Sequence, residues 1–490
     1  MGLNLKIIAR LLGAVSVIIA CLMIPALAVS VIYEEYSLTE DFGALIVILA
    51  AAGLLIFFAA RNAVRNIRIR DGIIIVSLCW IFTGLLGALP YVVSGIIPSF
   101  ADAFFESVSG FTTTGITVLG HIGAIPKSLL FWRSLTNWIG GIGILIFAIS
   151  ILPALGIGAV NLFSAENSGG ASAMERIRSR ISDNAKQIYI MYIVMTAAAF
   201  VLLLASNRMS LLDAIVYSFS SVSNSGVVAA EGGVTGYGSL YVEAVVALFC
   251  VLASMNFVSY TLLFHRRFKD FIKEPEVRYY LLIIASIFVL TMISLWANGS
   301  YNGPGATLRN SFFTVFAFVS TAGFGGADYG AWPLFCKCLL FAAMFIGGCS
   351  ASTSGGMKVI RLSLMASLIR RNIYKRLHPN AVVAVKLGDQ AISAQKVSNT
   401  TVFVLMYLFI FAGGTILLSL DGQSAATTAS AALAAMSNIG LGFGELTTGD
   451  YHIFSVGGRL LLSLLMLVGR LELFTIILLI IPNFWRPDHK

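Results

Sequence analysis

Charge is scarce in this chain. Of 490 residues, 11% are Asp, Glu, Lys or Arg, against 58% hydrophobic, and the mean hydropathy is +0.90. A water-soluble chain of this length needs far more charge to cover its surface. Cysteine and histidine are sparse too. The six cysteines (Cys21, Cys79, Cys250, Cys336, Cys338, Cys349) form no C-x-x-C pair and lie in or beside apolar segments, as small buried hydrophobes do. The five histidines are scattered and no H-E-x-x-H occurs, so no metal site is suggested. No G-x-G-x-x-G stands between a strand and a helix, so the chain carries no Rossmann-type nucleotide fingerprint. An intramembrane enzyme would need a convergent nucleophile–base or metal constellation, and none is found.

What is abundant is apolar length. Runs of about 18 or more hydrophobic residues recur from end to end, the signature of a polytopic membrane protein. The first run, near Ile7 to Ile32, is too long for a signal-peptide core, has no clear small-residue cleavage site and is followed by more spans, so it reads as a retained helix. Ten spans are expected, near 8–32, 42–60, 73–95, 128–152, 187–206, 240–264, 279–297, 334–357, 399–420 and 457–482. The loop Glu34 to Asp41 has no base. Basic residues cluster instead at Lys6 and Arg10, at Arg61, Arg65, Arg68 and Arg70, at Arg176–Lys186, Arg266–Arg278 and Lys358–Lys396, and at Arg486 and Lys490. Together these hold 25 of the 32 Lys and Arg, all on one side if both termini are inside, and the positive-inside rule makes that side the cytoplasm. The net charge of +9 thus needs no nucleic-acid partner; anionic lipid or a cytosolic subunit would complement it.

Between some span pairs lie shorter units: "FADAFFESVSGFTTTG", "LLDAIVYSFSSVSNSG", "LRNSFFTVFAFVSTAG" and "TTASAALAAMSNIG". Each reads as a short helix followed by a polar stop. Their glycines, Gly115, Gly226, Gly323 and Gly440, can be set in register. One residue earlier stand Thr114, Ser225, Ala322 and Ile439; two earlier, Thr113, Asn224, Thr321 and Asn438; three earlier, Thr112, Ser223, Ser320 and Ser437. The near-regular spacing is an internal repeat. Two spans per unit return the chain to its starting side, so the repeats are parallel and can surround one axis along the membrane normal.

Irregular backbone survives at membrane depth only where it is buried in protein or lines water. Four such turns about an axis would present backbone carbonyls to a central path, and carbonyl rings replace the hydration shell of a cation. Glycine allows dihedrals that L-residues avoid. The neighbouring hydroxyls and amides can brace the turn, Thr112 in particular, while Thr113 and Thr114 would offer carbonyls to the ion. The short helices would point their partially negative C-terminal ends inward. Close packing of small residues explains a single such loop well; four aligned copies, each behind a half-length helix, favour the ion path.

These residues resemble the Trk/Ktr/HKT superfamily of potassium transporters, and its bacterial TrkH type most closely. "FFESVSGFTTTGITV", "FWRSLTNWIGGIGILIF", "FVSTAGFGG", "GGCSASTSGGMKVIRL" and "GRLELFTIILLIIP" carry the likeness along essentially the whole chain. The resemblance implies an all-α fold of four fused span–pore-helix–span repeats around one pore, after two N-terminal transmembrane helices: units 1–70, 71–160, 161–270, 271–396 and 397–490. It also implies a homodimer in the bacterial inner membrane, with one pore per protomer. A TrkA-like cytosolic subunit would carry the nucleotide. The transported ion would be K+, with Rb+ as surrogate. In the family a serine at the first-repeat glycine goes with sodium, so glycine at 115 implies potassium selectivity.

The stretch Gly347 to Lys358, "GGCSASTSGGMK", interrupts a span with two glycine pairs around small and hydroxyl residues. It reads as a helix kink with close packing or, as the resemblance implies, as an intramembrane gate below the filter involving Gly347, Gly348, Ser350, Ser352, Thr353, Ser354, Gly355, Gly356 and Lys358. Arg470 lies mid-span, where a charge is costly and faces a cavity or partner. It would act as an electrostatic barrier or as an anchor for gate carbonyls. A pair with Glu472 is disfavoured, since residues two apart on a helix do not face each other. Arg133 and Lys337, nearer the outer ends of their spans, are expected to snorkel. Two alternatives stay open: a symporter coupling K+ to H+ or Na+, for which Asp102 and Glu106 offer no clear carrier, and a Na+-permeable relative.

Overall fold

The computed structural model describes residues 5–62, 69–120, 122–146, 171–264, 266–388, 390–471 and 473. The ends of the expected spans 128–152 and 457–482 lie outside the described residues, as do Arg65, Arg68, Glu472, Arg486 and Lys490. The described chain is mostly helical, with one small antiparallel hairpin of β1 (Lys386–Leu387) and β2 (Gln390–Ala391). Six of its helices are long and apolar enough to cross a membrane.

Two long helices come first, α1 (Leu5–Ile32) and α2 (Tyr36–Ala59), packed against each other where Gly13 and Gly53 meet. A recurring order follows. Long helix α3 (Ile69–Val93) leads to short α4 (Phe100–Phe111) and then α5 (Lys127–Ile146). Next come α6 (Ala171–Leu204), short α7 (Leu211–Ser223) and α8 (Leu240–Ser254). After α9 (Tyr260–Phe264) and α10 (Phe268–Lys273) come α11 (Pro275–Ala297), short α12 (Pro304–Val319) and α13 (Leu334–Ile346). Then α14 (Val359–Leu377) precedes α15 (Ala394–Leu418), short α16 (Ala425–Ser437) and α17 (Val456–Arg470).

The short helices have local causes. Ser99, Ser210 and Ser424 accept from the backbone N–H of Asp102, Asp213 and Thr427 and so cap α4, α7 and α16, while Pro304 opens α12 in the first helical turn. At 12 to 16 residues they reach about 18–24 Å, short of the roughly 30 Å hydrocarbon core. They are wrapped by the longer helices, which accounts for burial of Ser, Thr and small residues around most of α16.

One expected span differs in the structure. The sequence reads as continuous over 240–264, but α8 stops at Ser254 and the chain is irregular to Ser259. Nothing local breaks it, since the stretch has neither glycine nor proline. The break is held from outside: Phe257 N–H donates to the Ala351 carbonyl (3.0 Å), and the freed Ser254 carbonyl accepts from Cys349 N–H (2.8 Å).

Candidate ion pathway

The four short helices end in the same turn. Thr113, Asn224, Thr321 and Asn438 are left-handed, with φ between 51° and 58°. The next residues, Thr114, Ser225, Ala322 and Ile439, donate their N–H groups back to the carbonyls of Ser109, Ser220, Ala317 and Ala434 at 2.9–3.0 Å. The left-handed residues themselves donate to Gly110, Ser221, Phe318 and Ala435. This is a Schellman ending, which satisfies the last helical carbonyls and turns the chain sharply. Each glycine that follows is left-handed again: Gly115, Gly226, Gly323 and Gly440 have φ of 76°, 67°, 71° and 80°. Two left-handed residues separated by one ordinary residue keep the chain from resuming a helix.

The turns meet in cyclic order. A Cβ on Gly115 would overlap the Ser225 carbonyl oxygen; on Gly226 it would lie 2.6 Å from the Ala322 oxygen; on Gly323 it would overlap the Ile439 oxygen; and on Gly440 it would overlap the Thr114 oxygen. The first turn touches the second, the second the third, the third the fourth, and the fourth the first. Glycine is required at all four places for conformation and for space together. The carbonyls of Thr114, Ser225, Ala322 and Ile439 therefore crowd one small ring.

Side chains brace the ring from behind. Thr112 Oγ1 donates to the Val108 carbonyl (2.7 Å) and meets Thr114 Oγ1 at 2.7 Å, while Asn438 Nδ2 donates to Thr114 Oγ1 (2.9 Å) and to the Met466 carbonyl (3.1 Å). Asn224 Nδ2 donates to Ser254 Oγ (3.0 Å) and Thr353 Oγ1 (2.9 Å). Thr321 Oγ1 accepts from Gly355 N–H (2.8 Å) and meets Ser354 Oγ at 2.8 Å.

Those last contacts place the irregular stretch 347–358 directly against the ring. Gly347 and Gly356 are left-handed (φ 70° and 75°), as are Ala351 and Lys358. A Cβ on Gly355 would overlap the Ser437 carbonyl oxygen, so the stretch also abuts the fourth turn. Thr353 Oγ1 reaches the carbonyls of Val222 and Ala253, both at 3.1 Å. Gly348 N–H donates to Ser354 Oγ, Ser352 Oγ to the Cys349 carbonyl, and Lys358 Nζ to the Ser354 carbonyl. Arg470 is buried: Nη1 donates to the Thr353 carbonyl (2.8 Å) and Nη2 to the Gly140 carbonyl of α5 (3.2 Å). It thus joins α17, the irregular stretch and α5.

Arg133 corrects the sequence reading. It does not snorkel: it is buried, its Nε lies 2.6 Å from Glu106 Oε1, and its Nη2 donates to the Gly115 carbonyl at 3.1 Å. Glu106 is fully covered and also accepts from Thr117 Oγ1 (3.0 Å) and Val118 N–H (3.0 Å). The partner inside the protein is nearer than water, and one charge offsets the other. Asp102 similarly lies 2.7 Å from Arg459 of α17, and Glu243 of α8 holds Arg309 of α12. The signal was present in the sequence: opposite charges stranded singly in apolar runs, each needing a partner. Lys337 remains half-buried, donating Nζ to the Gly330 carbonyl at 2.9 Å.

Apolar helices long enough to span a bilayer, enclosing four carbonyl-bearing turns that close on one another, define an integral membrane protein of the ion-transport class. Residues 40–486 match the TrkH family of cation transport proteins, and the chain belongs to that family. It is 33% identical over 489 residues to the Trk system potassium uptake protein TrkH of Halomonas elongata, covering 99% of this chain and all of that one. It is 31% identical to the TrkH protein of Escherichia coli K12 over the same coverage. The fold matches the crystal structure of the potassium transporter TrkH from Vibrio parahaemolyticus with a TM-score of 0.88 at 31% identity, over 99% of this chain and all of that chain.

Proposed function

We propose that this chain takes up K+, and Rb+ in its place, through a selectivity filter formed by Thr113–Gly115, Asn224–Gly226, Thr321–Gly323 and Asn438–Gly440. The cyclic contact of the four left-handed glycine turns carries this reading. Carbonyls held in a ring by Schellman turns and a hydroxyl–amide brace can replace a hydration shell without reorganising. The relatives named as potassium uptake proteins support the choice of ion. The architecture proposed is ten spans: two N-terminal helices (1–70) and four span–pore-helix–span repeats (71–160, 161–270, 271–396, 397–490) about one pore. Both termini face the cytoplasm of a bacterial inner membrane.

Residues 347–358 act as the gate in this reading, obstructing the path beneath the ring, with Arg470 anchoring the Thr353 carbonyl and adding a positive barrier. The cytosolic subunit is of the TrkA-like, nucleotide-binding kind, and docks on the basic loops to move the gate. The protein works as a homodimer in contact with anionic lipid, with no cofactor of its own.

Purified protein in vesicles, assayed for Rb+ uptake with and without a Na+ or pH gradient, tests the proposal. Uptake following the Rb+ potential alone is expected. Uptake that requires the second gradient would make the protein a symporter, and Na+ uptake equal to Rb+ uptake would make it a Na+-permeable relative.

A further inference from the structure

Glu276 is buried in the first turn of α11, with its carboxylate turned away from water. Among the described residues no Lys or Arg pairs with it. Three donors from two other segments converge on it. Ser350 N–H donates to Oε1 at 2.5 Å, Ser350 Oγ to Oε2 at 2.7 Å, and Asn256 Nδ2 to Oε2 at 3.1 Å. Asn256 Nδ2 also reaches Ser350 Oγ at 3.3 Å. Asn256 lies in the break after α8, and Ser350 in the irregular stretch before α14. These are the two irregular segments that also exchange the Phe257–Ala351 and Cys349–Ser254 backbone bonds. A buried carboxylate accepting charge-assisted hydrogen bonds is a strong tie, because a buried charged group left without its donors is costly.

We infer that Glu276 is the positioning residue that latches the 347–358 stretch in its obstructing place, and that the short helix α10 works this latch. The inference rests on the reading of 347–358 as the gate. α10 (Phe268–Lys273) is one residue from Pro275, where α11 begins, so a displacement of α10 turns or lifts the first turn of α11. Glu276 rides on that turn. Moving it withdraws the acceptor from Ser350 and Asn256 together and loosens both broken segments at the point where they meet α11. The basic stretch Arg266–Arg278 that carries α10 lies on the side the charge pattern assigns to the cytoplasm, where a regulatory partner can reach it.

The test uses Glu276→Gln in the full-length protein in vesicles. The amide keeps the size but has one acceptor oxygen in place of two, and its NH2 faces donors. Rb+ flux without any partner protein is expected to rise at least threefold, with the Rb+/Na+ ratio unchanged. Ser350→Ala is expected to give a smaller rise, and the double variant no more than Glu276→Gln alone, because both act through one contact. Cys349, fully buried beside the latch, supplies a second readout. Its modification by a water-soluble thiol reagent, read by peptide mass spectrometry, should quicken at least tenfold in Glu276→Gln. Should that variant fail to fold, Ser350→Ala and Asn256→Ala carry the same two readouts. Unchanged flux and unchanged Cys349 reactivity in folded variants would overturn the latch. Deleting Gly348–Gly355 separates the two claims: if deletion raises flux and Glu276→Gln does not, the latch fails and the gate stands; if deletion leaves flux unchanged, the gate reading fails first.

Discussion

Replacing Gly115 by serine tests the ring at its tightest point. Two penalties apply together. The residue has φ 76°, and an L-residue forced into that region costs about 1–3 kcal/mol. The new Cβ would overlap the Ser225 carbonyl oxygen and stand 2.9 Å from its carbon, where ordinary contact begins at 3.4 Å. Neither is relieved by a rotamer change, because the clash is with backbone. The overlap is relieved if the first turn withdraws from the second, and the backbone strain if the withdrawn turn also leaves the left-handed region. The arrangement fitted to K+ is then disfavoured against a widened one by about 1–3 kcal/mol more than with glycine, which corresponds to a roughly 5- to 150-fold loss of preference. The widened ring has a serine hydroxyl beside it, a compact ligand suited to a smaller ion. Rb+ and Na+ fluxes into vesicles measure the ratio. Gly120→Ser is the control, since a Cβ there meets nothing within 4 Å, and it should leave the ratio unchanged. An unchanged Rb+/Na+ ratio in folded Gly115→Ser would refute the assignment of this turn to the filter.

Three further outcomes are expected. Deleting Gly348–Gly355 should raise ungated Rb+ flux several-fold in vesicles; unchanged or lost flux in a well-folded protein would make the stretch a structural plug. Arg470→Ala, which frees the Thr353 and Gly140 carbonyls, should also raise flux in the same assay, and unchanged flux would remove Arg470 from the gate. Arg133→Met should destabilise the protein by about 3–5 kcal/mol, because Glu106 is left buried without its counter-charge, while Arg133→Met with Glu106→Gln should recover much of that loss. Thermal unfolding in detergent reads both, and equal melting of the single and double variants would contradict the pairing.

The turns could be read in the sequence because their chemistry is local. In all four turns a left-handed residue, one ordinary residue and a left-handed glycine leave a compositional trace, Thr or Asn two places before Gly. Gly347 and Gly356 are legible for a different reason: each belongs to a glycine pair that interrupts an apolar run, and both are left-handed. The break after Ser254 was not. "SMNFVS" contains no residue that forbids a helix, and what ends α8 is a set of bonds to residues about 95 positions later. Tertiary contacts there override local preference. From the sequence Arg133 reads as a snorkelling residue, because it stands close to the outer end of its span. Glu106, one helix back in the chain, is nearer than water and decides its place. The cyclic order of the four turns could not come from sequence at all, since register fixes which residues correspond and not which turns touch.

Crystals grown in Rb+ offer the most direct measurement, through the anomalous scattering of the ion. Density is expected on the axis of the ring, between the carbonyls of Thr114, Ser225, Ala322 and Ile439, and it should weaken when K+ competes but not when Na+ does. Rb+ density elsewhere in the protein with none at the ring would contradict the account.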